Sequence, residues 1–253
     1  MDIETFHAAR ITVAAKKALA ENAALNYEPT PQESAAEIRF SFAPRQRNVR
    51  PPEARSPARW LKLCREAGLR DVWLIPQTDL PEYIAPSQSM RKRPHIVTAF
   101  EDGTVSCWAA EVNGWDDDYF FTYSEFFVES GSYPRPPFPD NEREFRSVLT
   151  EIGKFAENLG EDLFAAIFEE ALAILDEERT REDPVFSALP PRNFARLLAA
   201  MEADVFGGMG SWNDTPYTMA CCRKREKQYG RLSSELAKQI TLAQMYAINQ
   251  WGF

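Results

Sequence analysis

His95-Ile96-Val97-Thr98-Ala99-Phe100-Glu101-Asp102-Gly103-Thr104-Val105-Ser106-Cys107-Trp108-Ala109 is the stretch whose reading decides the fold. β-Branched and aromatic residues flank an Asp-Gly pair, the strongest short-range hairpin signal. A two-residue type I′ turn at Asp102-Gly103 pairs Phe100 with Val105, Thr98 with Cys107 and Ile96 with Ala109 on one face. Val97 with Trp108, and Ala99 with Ser106, fall on the other. The first face is expected to pack on a helix, and the second, partly apolar, is expected to be covered as well.

Strands and helices follow outward from this hairpin. Downstream, Asp116-Asp117-Asp118 leads into the aromatic run Tyr119–Phe127, a further strand of the same sheet. Upstream, Val72–Ile75 reads as a short buried strand closed by Pro76. Ser56-Pro57 opens a helix, with Ser as cap and Pro in the first turn, carrying Trp60, Leu61 and Cys64 as far as Gly68. Residues 44–57 read as an extended loop, and Ile38, Phe40 and Phe42 alternate with polar neighbours in a strand before it. Residues 2–24, rich in Ala, Lys and Glu, read as a helix with loose apolar spacing.

Beyond the proline-dense break Pro134–Pro139 the pattern is helical. Phe145, Val148, Leu149, Ile152, Phe155 and Leu159 recur at helical spacing. After Gly160, the residues Leu163, Phe164, Ile167, Phe168, Ala171, Leu172 and Leu175 form a second stripe. A third helix is expected over about Pro191–Phe206, and a last one carries Leu232, Leu236, Ile240, Ala243 and Ala247. The fold class is therefore α+β: an N-terminal antiparallel sheet of three to five strands with flanking helices, packed on a C-terminal helical part. The expected division is 1–135 and 140–253, with one shared core because the connection is short.

Composition bounds the function classes. The 253 residues are 44% hydrophobic and 26% charged, ordinary for a globular chain. No run approaches the ~18 apolar residues of a membrane span. The N-terminus carries acids where a secretory leader needs bases, so a cytoplasmic location is expected. The four cysteines form no C-x-x-C pair and only His7 and His95 exist, so neither a metal nor a cofactor is expected. The formal charge of −9 is concentrated in Asp140–Asp183, with fourteen acids against five bases. Arg45, Arg47, Arg50, Arg55, Arg59, Lys62 and Arg65 form an opposing basic stretch, and Arg91-Lys92-Arg93 a second cluster. Solvated faces account for both at the simplest level.

The candidate site is the glycine corner. Gly207, Gly208 and Gly210 stand beside Ser211, Trp212, Asn213 and Asp214, and the expected structural role is a left-handed helix cap at Gly207 or Gly208. A phosphate cradle fits poorly, because such loops precede a helix and this one follows it. Ser211 lacks the flanking glycines of a nucleophile elbow. Trp212 is expected to pack on a helix, and Asn213 and Asp214 to bond local backbone donors. Thr215 is the expected cap of any helix that follows. Three consecutive acids at 116–118 point to alternate faces and form a turn rather than a chelate.

The string D-V-F-G-G-M-G-S-W-N-D, from Asp204 to Asp214, resembles one found in bacterial proteins of unknown function, several of them small cytoplasmic proteins of immunity type. The order of hairpin, aromatic strand, acidic helix pair and glycine corner is similar too. The resemblance implies no catalytic residue. The leading expectation is a non-enzymatic binding protein, of that neutralising kind by the resemblance, whose acidic helices 140–183 meet a basic protein. The alternatives are an enzyme on a small or phosphorylated substrate, with the basic stretch and the corner lining one cleft that would unite Ser211, Asp214 and His95, and nucleic-acid binding through Arg45–Arg65. The nucleic-acid alternative is disfavoured because interleaved aromatics are missing apart from Trp60. The oligomeric state is left open.

Overall fold

The computed structural model describes residues 2–27, 37–44, 51–75, 94–115, 118–128, 135–207 and 209–251. Arg45, Arg47, Arg50, Pro76, Arg91-Lys92-Arg93, Asp116, Asp117, Pro134 and Gly208 lie outside them, and with them the expectations placed there. The architecture is α+β, and the chain divides into two compact units. One comprises 2–137 with 183–188, the other 138–182 with 189–251.

The first unit is built on a six-stranded sheet: β1 (Glu37–Ser41), β2 (Glu53–Ala54), β3 (Leu69–Ile75), β4 (His95–Phe100), β5 (Val105–Trp115) and β6 (Asp118–Val128), in the order β2-β1-β6-β5-β4-β3. All pairings are antiparallel except β1 with β6, which is parallel. The sheet is thus mixed rather than wholly antiparallel. A parallel pair needs a long crossover, and no local pattern announces one. The two residues of β2 lie in the stretch expected to be loop.

The hairpin forms, but one residue out of the expected register. Ala99 pairs with Val105, Val97 with Cys107 and Ile96 with Trp108. The loop is longer: Gly103 N donates to Phe100 O at 3.1 Å and Phe100 N to Thr104 O at 3.0 Å. Gly103 alone takes a positive φ, +82°, as in a type I turn followed by a glycine bulge. The slip moves Trp108 onto the face of Ile96 and Thr98, where its Nε1 donates to Thr98 Oγ1 at 3.1 Å. Burying an indole with its N–H satisfied decides the register.

That face holds an aromatic core. Phe40 stacks on Trp60 of α2 (Pro57–Glu66) at 4.9 Å and on Tyr123 at 4.8 Å, with Trp108 edge-on to Trp60. Ser56 caps α2 through Arg59 N at 3.2 Å, with Pro57 in the first turn. Helix α1 (Ile3–Ala20) packs on β3, β4 and β5. The opposite face is buried at Trp73, Val97, Cys107 and Ala109.

The second unit holds α3 (Glu142–Leu159), α4 (Asp162–Asp176), α5 (Pro191–Glu202), α6 (Thr215–Cys222) and α7 (Glu226–Asn249). α3 packs on α4 and α7, and α5 on the same two helices. The apolar stripe of α3 is buried throughout, as are Leu232, Leu236, Ile240, Ala243 and Ala247 of α7. Leu163 departs from the expected stripe and stands 70% exposed. It sits in the first turn of α4, about 100° around the helix from buried Phe164. No helix among the described residues is long and apolar enough to cross a membrane.

Candidate functional site

Helix α5 stops at Glu202, well short of the glycines. Gly207 does not take a positive φ; Gly210 does, at +81°. The chain leaves the helix through Ala203, and Val205 O accepts from Trp212 N at 3.0 Å. The corner is therefore a closed loop between α5 and α6, clamped by that bond, rather than a glycine helix cap.

Trp212 is its centre and is fully buried. Phe164 and Phe168 meet its ring edge-on at 5.3 and 5.4 Å, and Tyr229 of α7 stacks on it at 5.6 Å. Its Nε1 donates to Ser233 Oγ at 2.8 Å. The Tyr229 hydroxyl donates to Trp212 O at 3.0 Å and to Asn213 Oδ1 at 3.3 Å. Burial raises the pKa of this phenol, partly opposed by a hydrogen bond to Ser233.

The polar residues fold inward on the loop. Asp214 Oδ2 accepts from Gly210 N at 2.6 Å, the local backbone donor expected of it. Asn213 differs, since its side chain accepts from Tyr229 rather than from backbone. Ser211 Oγ donates to Gly207 O at 3.1 Å and accepts from Asn213 N at 3.3 Å. Asp214, not Thr215, is the residue before α6, and it makes no side-chain cap bond there. His95 belongs to the other unit, buried on β4 with Phe126 edge-on at 5.6 Å.

The acidic segment is only partly neutralised. Glu142, at the start of α3, receives Arg196 Nη2 at 2.5 Å, Arg192 Nη2 at 2.9 Å and Arg146 Nε at 3.1 Å. Burial alone would raise its pKa, but these three guanidiniums outweigh it and hold the carboxyl at about 2. Arg179 pairs with Glu170 and Glu177, and Arg231 with Glu151. Glu144, Glu157, Glu161, Asp162 and Glu169 form no ion pair among the described residues. Four of these five are exposed, and Glu161 is half-buried. Glu157, Glu161, Asp162 and Glu169 lie within six residues of Leu163 along the chain.

Of the basic stretch, Arg65 donates to Ala18 O in the last turn of α1 at 2.5 Å and to Ala23 O just beyond the helix at 2.6 Å. It serves the fold. Arg59 and Lys62 remain exposed, the latter 4.0 Å from Glu66.

Sequence reasoning missed α1 as a carrier of buried polar groups. His7, Arg10 and Lys16 are each fully buried. His7 stacks on Phe121 at 3.8 Å and shares a 2.7 Å hydrogen bond with the Tyr123 hydroxyl. Burial, with Arg10 beside it, lowers its pKa from 6.5 to about 3. Arg10 meets Asp183 at 2.6 Å. Asp183 in turn accepts from Val185 N and Phe186 N, which fastens the segment 183–188 to the first unit. Burial also lowers Lys16 to about 8, against the pull of Asp71. The available signal was the lack of a clean polar stripe in an alanine-rich helix, which marks burial all round.

Among the described residues no group of three or more His, Cys, Asp or Glu is placed to hold a metal. No protein-family model matches the chain, and neither does any curated protein or solved structure.

Proposed function

We propose that this chain is a non-enzymatic protein-binding module whose acidic α3–α4 hairpin docks a basic protein. One observation carries the reading: four carboxylates without ion pairs, Glu157, Glu161, Asp162 and Glu169, lie within six residues of an exposed leucine, Leu163. The carboxylates steer a cationic partner and exclude anionic ones. Leu163 adds apolar area that only a partner would remove from water. The corner supports the same reading, because its serine and aspartate spend their hydrogen bonds on the loop. An immunity-type role, in which the chain covers a basic toxic partner, is the form suggested by the resemblance of the 204–214 string.

Affinity capture from cells of the source, followed by purification and titration of the captured protein, tests this. The partner should be basic and should bind more weakly as salt rises. The variant Glu161→Gln/Asp162→Asn/Glu169→Gln should weaken binding about tenfold or more, 1.4 kcal/mol. An acidic partner, or one that binds the variant equally well, overturns the proposal.

A further inference from the structure

We propose that Cys221 and Cys222 form a vicinal-dithiol site for a trivalent organoarsenical. Both are free and exposed on the last turn of α6, whereas Cys64 and Cys107 are buried. Cysteine is among the residue types most often buried, so two bare thiols in succession are unusual. Their own disulfide is disfavoured. Adjacent Cα atoms lie ~3.8 Å apart, short of the ~4.4–6.8 Å that a disulfide takes. The pair therefore stays available as a dithiol, and a single bridging atom lengthens the closure enough to relieve that constraint.

The ligand class follows from the donor set. Among the described residues no third His, Asp or Glu joins the two thiols into a metal group. Four-coordinate zinc is left unsatisfied. A soft centre that needs only two sulfurs is not. An organoarsenic(III) oxide meets that need. Two As–S bonds form while two S–H bonds and the As=O bond break. The two protons and the oxygen leave as water, and no atom changes oxidation state.

Capture at this pair reaches the corner. Tyr217 stands four positions, about one helical turn, before Cys221 on α6. The Tyr217 ring lies edge-on to Tyr229 at 5.4 Å, and Tyr229 stacks on Trp212. Loading Cys221 therefore places the arsenical one turn from the exposed end of the aromatic row.

Phenylarsine oxide is the probe. The full chain is incubated with it, freed of excess reagent and read by intact mass under native conditions. One arsenical per chain is expected. Cys221→Ser and Cys222→Ser should each hold it at least about 100-fold more weakly, since one thiol lacks the chelate. Each variant should still take one iodoacetamide group at its remaining exposed thiol. The proposal fails if the wild type is alkylated at both cysteines yet takes up no arsenical. It fails equally if the adduct survives in both single variants.

Discussion

Helices α1 and α3 are each eighteen residues long and use their charges in opposite directions. α1 turns His7, Arg10 and Lys16 into the first unit, where each is fully buried. α3 buries a clean apolar stripe, its neighbour α4 buries Phe164, Phe168, Ala171, Ile174 and Leu175, and both keep most of their acids at the surface. A buried charge is tolerated only with partners, so the charges of α1 belong to the fold. A surface charge costs the fold little, so the unpaired acids of α3 and α4 are not needed by the fold, as the proposed docking requires. Net charge alone does not separate these two uses; burial does.

The largest expected effect breaks the α1 side. Arg10→Ala leaves Asp183 without its cation and unfastens 183–188. Urea unfolding should show a loss of about 3–5 kcal/mol. A loss below 1 kcal/mol would mean that the pair is incidental. In the helical unit the counterpart is apolar. Trp212→Ala should cost about 3 kcal/mol or more by the same measurement, through the cavity left among Phe164, Phe168 and Tyr229.

His7 sharpens the contrast through pH. Its folded pKa of about 3 lies below the ordinary 6.5. Between those values the unfolded chain takes up a proton that the folded chain refuses. The contribution is complete above pH 6.5 and fades as pH falls toward 3, by about 2–3 kcal/mol at pH 4.5. His7→Phe should flatten that slope in unfolding curves taken across the window. Glu142 titrates elsewhere: its stabilisation is present above the ordinary carboxylate value and is lost only as pH falls through about 2. At the corner, Gly210→Ala should lower stability by about 1 kcal/mol. Its φ is +81° and no atom lies within 4 Å of the added Cβ, so the cost is conformational.

Much of this was legible. The stripes of α3 and α7, the Ser56-Pro57 start of α2 and the burial of Trp212 follow from periodicity, capping and side-chain size. The hairpin's existence was legible, but its register was not. Asp-Gly suits both a two-residue turn and a longer loop with a glycine bulge, and only the packing of Trp108 beside Thr98 separates them. The polar row of α1 escaped because its partners are remote: Tyr123 lies 116 positions from His7, and Asp183 lies 173 from Arg10. Leu163 misled because its spacing fits the stripe, while the first turn of α4 points it outward. At the corner the backbone geometry was not legible, since α5 ends at Glu202 and Gly210, not Gly207, takes the left-handed conformation.

The smallest expected effect on stability is also the most direct test. Glu161→Gln/Asp162→Asn/Glu169→Gln should be measured in parallel for unfolding free energy and for affinity toward the captured partner. The account predicts stability within about 0.5 kcal/mol of wild type, together with a clear loss of affinity. A variant that unfolds more easily yet binds its partner as before would contradict it.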